Sequence, residues 1–204
     1  MAKLKKVSKK QLWCYFILVA RCLLACTFLG YGLGKLAGGQ FGISEEELLT
    51  PIKELSLFKI GWYLFDFQPF KTFIGLSQVL CAVLLLWNRT VILGAFLFIP
   101  IALNILIIDI TIMPPSLKAM FTARLSLYLL WAVLILWYYR DRLKVVWEAL
   151  WSKVQTQISF PIWMYVSIPL AMMLLEFGPA VFMGLLFEPA KVVESFSSLF
   201  SYVF

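Results

Sequence analysis

The sequence predicts an all-α, polytopic membrane protein: a four-helix transmembrane bundle plus an additional fifth transmembrane helix, with an outer capping segment and an inner amphipathic helix. Three observations carry this. Of 204 residues, 62% are hydrophobic and 14% charged, with a mean hydropathy of +0.90. A soluble domain is nearer half apolar and a quarter charged, so this chain has too little polar surface to cover itself in water. Apolar runs also recur five times, each about the 20 residues that a helix needs to cross roughly 30 Å of hydrocarbon. The polar/apolar alternation of barrel strands is absent.

The first span runs from Leu12 to Leu33 behind a lysine-rich start, KLKKVSKK. It is too long for the apolar region of a secretory signal and holds Arg21 in its middle, so it reads as a retained helix. Further spans follow at 71–87, 90–112, 122–139 and 162–187. Between the first two, a lid at about 36–70 carries a capping box, Ser44-x-x-Glu47, and then Thr50-Pro51, read as an N-cap followed by proline at the first helical position. Its aromatic cluster of Trp62, Tyr63, Phe65, Phe67 and Phe70 belongs at headgroup depth. After the fourth span Leu143, Val146, Trp147, Leu150, Trp151 and Val154 recur at helical spacing, an interfacial amphipathic helix. The chain therefore divides into a core at 1–139 and an extension at 140–204.

Orientation follows from the basic residues. With the N-terminus inside, ten lie on the inner side: five lysines before the first span, Arg89, Arg140, Arg142, Lys144 and Lys153. The outer side holds Lys53, Lys59, Lys71, Lys118 and Lys191, with Lys35 and Arg124 at its boundary. The excess predicts N-in, C-out, and a bacterial cytoplasmic membrane is the expected location. The net charge of +7 sits at span ends, where it favours anionic lipid rather than nucleic acid. Without histidine, the chain lacks the commonest metal ligand and general base, so no metal site and no intrinsic cofactor are expected. Cys14, Cys22, Cys26 and Cys81 form no C-x-x-C and read as free thiols in apolar spans.

A charge in hydrocarbon costs at least about 2.5–3.5 kcal/mol near a helix centre and so needs a partner or a purpose. Arg21, Gln78, Asn104 and Glu176 are the deep polar groups, expected to form a buried network that fixes helix order or a ligand-binding site. Arg21 lies about 13 Å from the inner side and Glu176 about 21 Å, so a direct pair requires Arg21 to reach outward or the helices to shift. Lys35, Asp109 and Arg124 share the outer level and are expected to form a salt-bridged cluster whose surplus positive charge accepts an anionic group or the lid residue Asp66. Gly30 and Gly34 form a small-x-x-x-small face for helix packing. Pro100, Pro169 and Pro179 lie inside spans, where each removes a backbone hydrogen bond.

Arg21, then Phe28-Leu-Gly-Tyr-Gly-Leu-Gly-Lys35, a loop, Gly75-Leu-Ser-Gln-Val-Leu-Cys-Ala-Val-Leu-Leu-Leu-Trp-Asn-Arg89, a third apolar span and Arg124 opening a fourth together resemble the DoxX-like family of small integral membrane proteins, over residues 14–139. The resemblance implies a four-helix bundle. It also implies a link to membrane redox chemistry, through relatives that include a subunit of a thiosulfate:quinone oxidoreductase, proteins of thiol and oxidative-stress systems, and distant cargo-receptor-like proteins. Arg21, Lys35 and Arg124 are the positions it carries over. Where the family often has a carboxylate shortly after the second-span glycine, this chain has Gln78.

Two functions are therefore expected. One is a non-catalytic accessory or scaffolding subunit that docks to other membrane or envelope proteins, since the sequence offers no nucleophile–base pair, metal set or phosphate loop. The other is a quinone- or lipid-binding redox protein with a pocket around Arg21, lined by Gln78, Asn104 and Glu176. No catalytic residue is assigned in either.

Overall fold

A computed structural model describes residues 8–152, 160–190 and 192, which are helical and contain no strand. Lys3, Lys5, Lys6, Lys153, Val154 and Lys191, used above for topology and amphipathicity, lie outside the described residues.

Helix α1, Lys9–Leu36, opens on a capping box in which Ser8 and Gln11 exchange side-chain bonds to backbone N–H groups at 2.9 and 3.2 Å. It closes on a glycine stop: Gly38 N–H donates to Lys35 O and Gly39 N–H to Gly34 O, with Gly38 at φ 78°. Three short pieces follow: α2 (Glu45–Leu48), a 3₁₀ turn (Ile52–Glu54) and α3 (Leu57–Phe65). The Ser44–Glu47 capping box is present. The expected Thr50 cap is not: Pro51 is the residue before the turn, and the Thr50 hydroxyl donates back to Glu46 O. Glu47 also bonds Lys59 across the lid, and this cation, with the Ser44 N–H, holds its carboxyl below the usual carboxylate range.

The long helices α4 (Phe70–Leu86), α5 (Val91–Ile112) and α6 (Pro115–Tyr138) match the predicted spans, except that α6 starts seven residues earlier than predicted because Pro115 takes the first helical position. Arg124 is thus about 13 Å along α6, not at its start. Helix α1 packs on α4 and α6, α4 on α5, and α5 on α6. Inward faces are narrow and built from small residues, among them Ala20, Ala25, Ala82, Ala95, Ala102 and Ala132, with Phe28 stacked on Phe98 at 4.2 Å. Outward faces expose Leu18, Leu80, Leu93, Leu130 and many like them, the reverse of a soluble protein.

The Gly30/Gly34 packing face needs correction. A Cβ on either would meet nothing within 4 Å, whereas one on Gly32 would lie 2.8 Å from Gly75 O and 2.8 Å from Val79 Cγ2. Gly32 and Gly75 are where α1 and α4 approach.

Helices α1, α5 and α6, together with α8 (Ile162–Phe187), are long and apolar enough to cross a membrane. Helix α4 has 17 residues and makes a fifth crossing only with α3, at an 82° bend. The chain is an all-α integral membrane protein. It forms two compact units, one ending at Trp151 and one starting at Ser152. Helix α7 (Arg140–Trp151) belongs to the first and touches α6, whereas the sequence grouped it with the fifth span. In the second unit Pro169 and Pro179 lie within an unbroken α8.

Candidate functional site

Arg21 is 95% buried, but its bonds define a staple rather than the centre of a pocket. Its Nε and Nη2 donate to Leu85 O at 3.1 and 3.0 Å, Nη2 also to Leu86 O at 3.1 Å and Asn88 Oδ1 at 2.9 Å, and Nη1 to the Tyr139 hydroxyl at 3.3 Å. The last carbonyls of a helix have no partner within it, and its C-terminal end favours a cation. One guanidinium thus closes α4 and ties it to α1 and to the end of α6. Gln78 and Asn104 are not among its partners, and Glu176 is an exposed side chain on α8, so the expected Arg21 network is replaced by this one. Sequence reasoning missed Asn88 and Tyr139. Asn88, in the short α4–α5 turn, was the available signal.

The other predicted groups do converge, at the lid end. Between the lid and the lid-end parts of α1, α4, α5 and α6 lies a cavity of about 210 Å³ lined by Lys35, Gln78, Asn104, Asp109 and Arg124. Gln78, on α4, and Asn104, on α5, each stand eight residues from the lid end of their helices, about 12 Å along the axis. They therefore belong with Lys35, Asp109 and Arg124 rather than with Arg21. The walls are otherwise largely aromatic and aliphatic, including Phe28, Tyr31, Ile105, Phe121 and Tyr128. Phe41, Trp62, Phe65 and Phe70 close it from the lid, joined edge to face, tilted or stacked at 5.3–6.4 Å.

The charges in this cavity are held apart. Lys35, 95% buried, donates to Gln40 Oε1 at 2.9 Å and lies over the Tyr31 and Phe41 rings at 5.5 and 5.2 Å. Arg124 donates through Nη2 to the Tyr31 hydroxyl and sits 4.7 Å from the Phe121 ring centroid, a cation–π contact. Its Nε is buried without a partner. Asp109, also 95% buried, is within 4.0 Å of no Lys or Arg nitrogen among the described residues, so the expected salt-bridged cluster is a set of unjoined charges around a space. The lid residue Asp66 is not its partner either, because it pairs with Lys71 at 2.7 Å. Gln78 is 99% buried, and its Oε1 has no hydrogen-bond partner. Buried amides in folded chains are almost always satisfied, and this orphan belongs to a residue that lines the cavity.

Among the described residues no group of three Asp, Glu, Cys or His side chains is placed to hold a metal ion. The four cysteines are free: Cys81 Sγ contacts Gly94 O at 3.4 Å, Cys14 Sγ contacts the Tyr138 hydroxyl at 3.0 Å, and Cys22 and Cys26 are exposed.

No protein-family model matches the chain, and no solved structure matches it. Among curated proteins it is similar to the uncharacterized protein YwoB of Bacillus subtilis (strain 168), 38% identical over 108 residues. That alignment covers 52% of this chain and 66% of YwoB, just under two thirds of its length.

Proposed function

We propose that this chain is a DoxX-like integral membrane protein of the bacterial cytoplasmic membrane, N-terminus inside and lid outside, that binds an amphiphilic small molecule in the lidded cavity. In this reading α1, α4, α5 and α6 form a four-helix transmembrane bundle and α8 is an added fifth span. One observation carries it: Gln78 is buried without a hydrogen-bond partner in a cavity that also holds three unjoined charges. Buried ionisable groups on the apolar helices of a membrane protein mark a ligand site by default, and a mostly apolar pocket with a few convergent polar groups is the usual form of a small-molecule site. A quinone or a lipid, the ligands first placed at Arg21, is placed here instead. The role is binding, with no catalytic residue assigned.

The accessory-subunit reading ranks second. It rests on the exposed apolar face of α7, with Val146, Trp147, Leu150 and Trp151, and on the exposed surface of α8. A lipid interface satisfies those faces as well as a protein does, so they favour no partner. One experiment ranks the two. The full chain and an Ile108→Trp variant, which fills the cavity wall, are purified gently and analysed for bound small molecules and proteins by mass spectrometry. A bound molecule in the parent, depleted about tenfold or more in the variant, is expected, a loss of about 1.4 kcal/mol in binding. Equal small-molecule content in both, with a stoichiometric protein partner, overturns the cavity reading in favour of the scaffold.

A further inference from the structure

The chemistry of the cavity specifies its ligand more narrowly, on the premise of the proposed binding function. Lys35 and Arg124 offer donors only. Lys35 uses one of its three on Gln40, and Arg124 leaves Nε unused. Asp109, when ionised, offers acceptors only, and no lysine or arginine nitrogen among the described residues lies within 4.0 Å of its oxygens. Gln78 offers both kinds from one amide, and its Oε1 has no hydrogen-bond partner.

The charge count is two cations against one carboxylate. In a site with largely apolar walls an uncompensated charge is costly, so a neutral guest leaves one cation unbalanced, and a cationic guest makes the imbalance worse. A dianion overshoots and sets its second charge beside Asp109. A single negative charge closes the balance. That charge belongs near Lys35 and Arg124. Asp109 then needs a donor from the same guest, and a neutral hydroxyl supplies one without changing the count. An oxidised quinone carries acceptors alone and meets neither requirement.

Size sets a further limit. A cavity of about 150 Å³ holds a benzene ring, so about 210 Å³ holds a group of roughly eight non-hydrogen atoms. That is a head group and not a pair of acyl chains. Asn104 lines the cavity and is itself exposed on α5, so the space reaches the helix surface there, where an apolar tail has hydrocarbon to enter.

We infer that the cavity takes a monoanionic head group bearing a hydroxyl, with the anion on Lys35 and Arg124 and the hydroxyl on Asp109 and Gln78. A phosphodiester with a neighbouring alcohol has this chemistry, whether on a membrane lipid or as a free solute. The test is native mass spectrometry on the full chain, titrated with phosphatidylglycerol, with phosphatidylethanol as a monoanion lacking the hydroxyl, and with phosphatidylcholine as a lipid without net charge. The expected result is about tenfold tighter binding of phosphatidylglycerol than of either. Gln78→Leu and Asp109→Asn, each checked for an unchanged elution profile, should abolish the preference for phosphatidylglycerol over phosphatidylethanol, and Arg124→Gln should weaken both anions. Glycerophosphoglycerol, the deacylated head group, is the competitor: displacement of the lipid supports a free solute as the source, and failure to displace supports the lipid. Equal binding of phosphatidylglycerol and phosphatidylethanol by the parent, or a preference that survives both Gln78→Leu and Asp109→Asn, overturns the ligand class. If Ile108→Trp still displaces some other bound molecule, the cavity reading stands while this inference falls. If it displaces nothing, both fall.

Discussion

Arg21 shows how a single buried charge is made tolerable without a counter-ion. Its guanidinium reaches four acceptors, the carbonyls of Leu85 and Leu86 and the side chains of Asn88 and Tyr139. Two of these are carbonyls that α4 cannot satisfy itself. Removing a partner from such groups costs about 1–3 kcal/mol per orphaned group. Arg21→Met is therefore expected to lower stability in detergent by at least about 2 kcal/mol, and Arg21→Lys, a point charge that cannot span all four acceptors, by an intermediate amount. Thermal unfolding of the purified proteins measures both, and a methionine variant as stable as the parent would refute the staple. The same residue shows the limit of depth counting. From the start of the apolar run Arg21 lies mid-span. In the structure α1 begins at Lys9 and has 28 residues against 17 in α4, about 42 Å against about 26 Å, so it overshoots its neighbour and Arg21 falls level with the end of α4.

Among elements, the pairing of α1 with α4 is decided by glycine placement. A Cβ on Gly32 would strike a backbone carbonyl that cannot turn aside, while Gly30 is open and Gly34 accepts the bond that ends α1. Gly32→Ala should destabilise the protein by about 1–3 kcal/mol through overpacking, and Gly30→Ala should be neutral or stabilising by up to about 1 kcal/mol, since alanine is the better helix former. Thermal unfolding of the two variants side by side checks this, and equal losses would show that the close approach lies elsewhere. A second contact of this kind joins α4 to α5, where a Cβ on Gly94 would lie 2.6 Å from Leu85 N. At the lid end α5 has no fully buried residue between Ala102 and Asp109, and Asn104, Ile105 and Ile108 of that stretch line the cavity. The lid reaches α5 through Gly61, whose missing Cβ makes room for Ile112 Cδ1 at 2.6 Å.

For the whole molecule, the proposed orientation has a direct check. With native cysteines replaced, Glu46→Cys in the lid should react with a membrane-impermeant maleimide on intact cells, and Arg89→Cys in the α4–α5 turn only after permeabilisation. The opposite pattern would reverse the topology and put the cavity mouth on the cytoplasmic side. Either result leaves the internal geometry unchanged, because the lid, Lys35, Asp109 and Arg124 lie at one end of the helices and Arg21 at the other.

The sequence by itself determined the class and the run of helices. Mean hydropathy and span length are one-dimensional properties, and they place the helices to within a few residues except at α6, where Ser116 and Lys118 behind Pro115 read as loop. It also singled out Lys35, Asp109 and Arg124, because a charge in an apolar helix is visible without a fold. Only the tertiary structure decided which polar groups meet. Gln78 and Asn104 moved from Arg21 to the lid-end charges, and Tyr31 and Gln40 entered as direct hydrogen-bond partners, because the offset between helices is set by where small residues such as Gly32, Gly75 and Gly94 let backbones touch. That offset is a property of pairs of helices, and no single span records it.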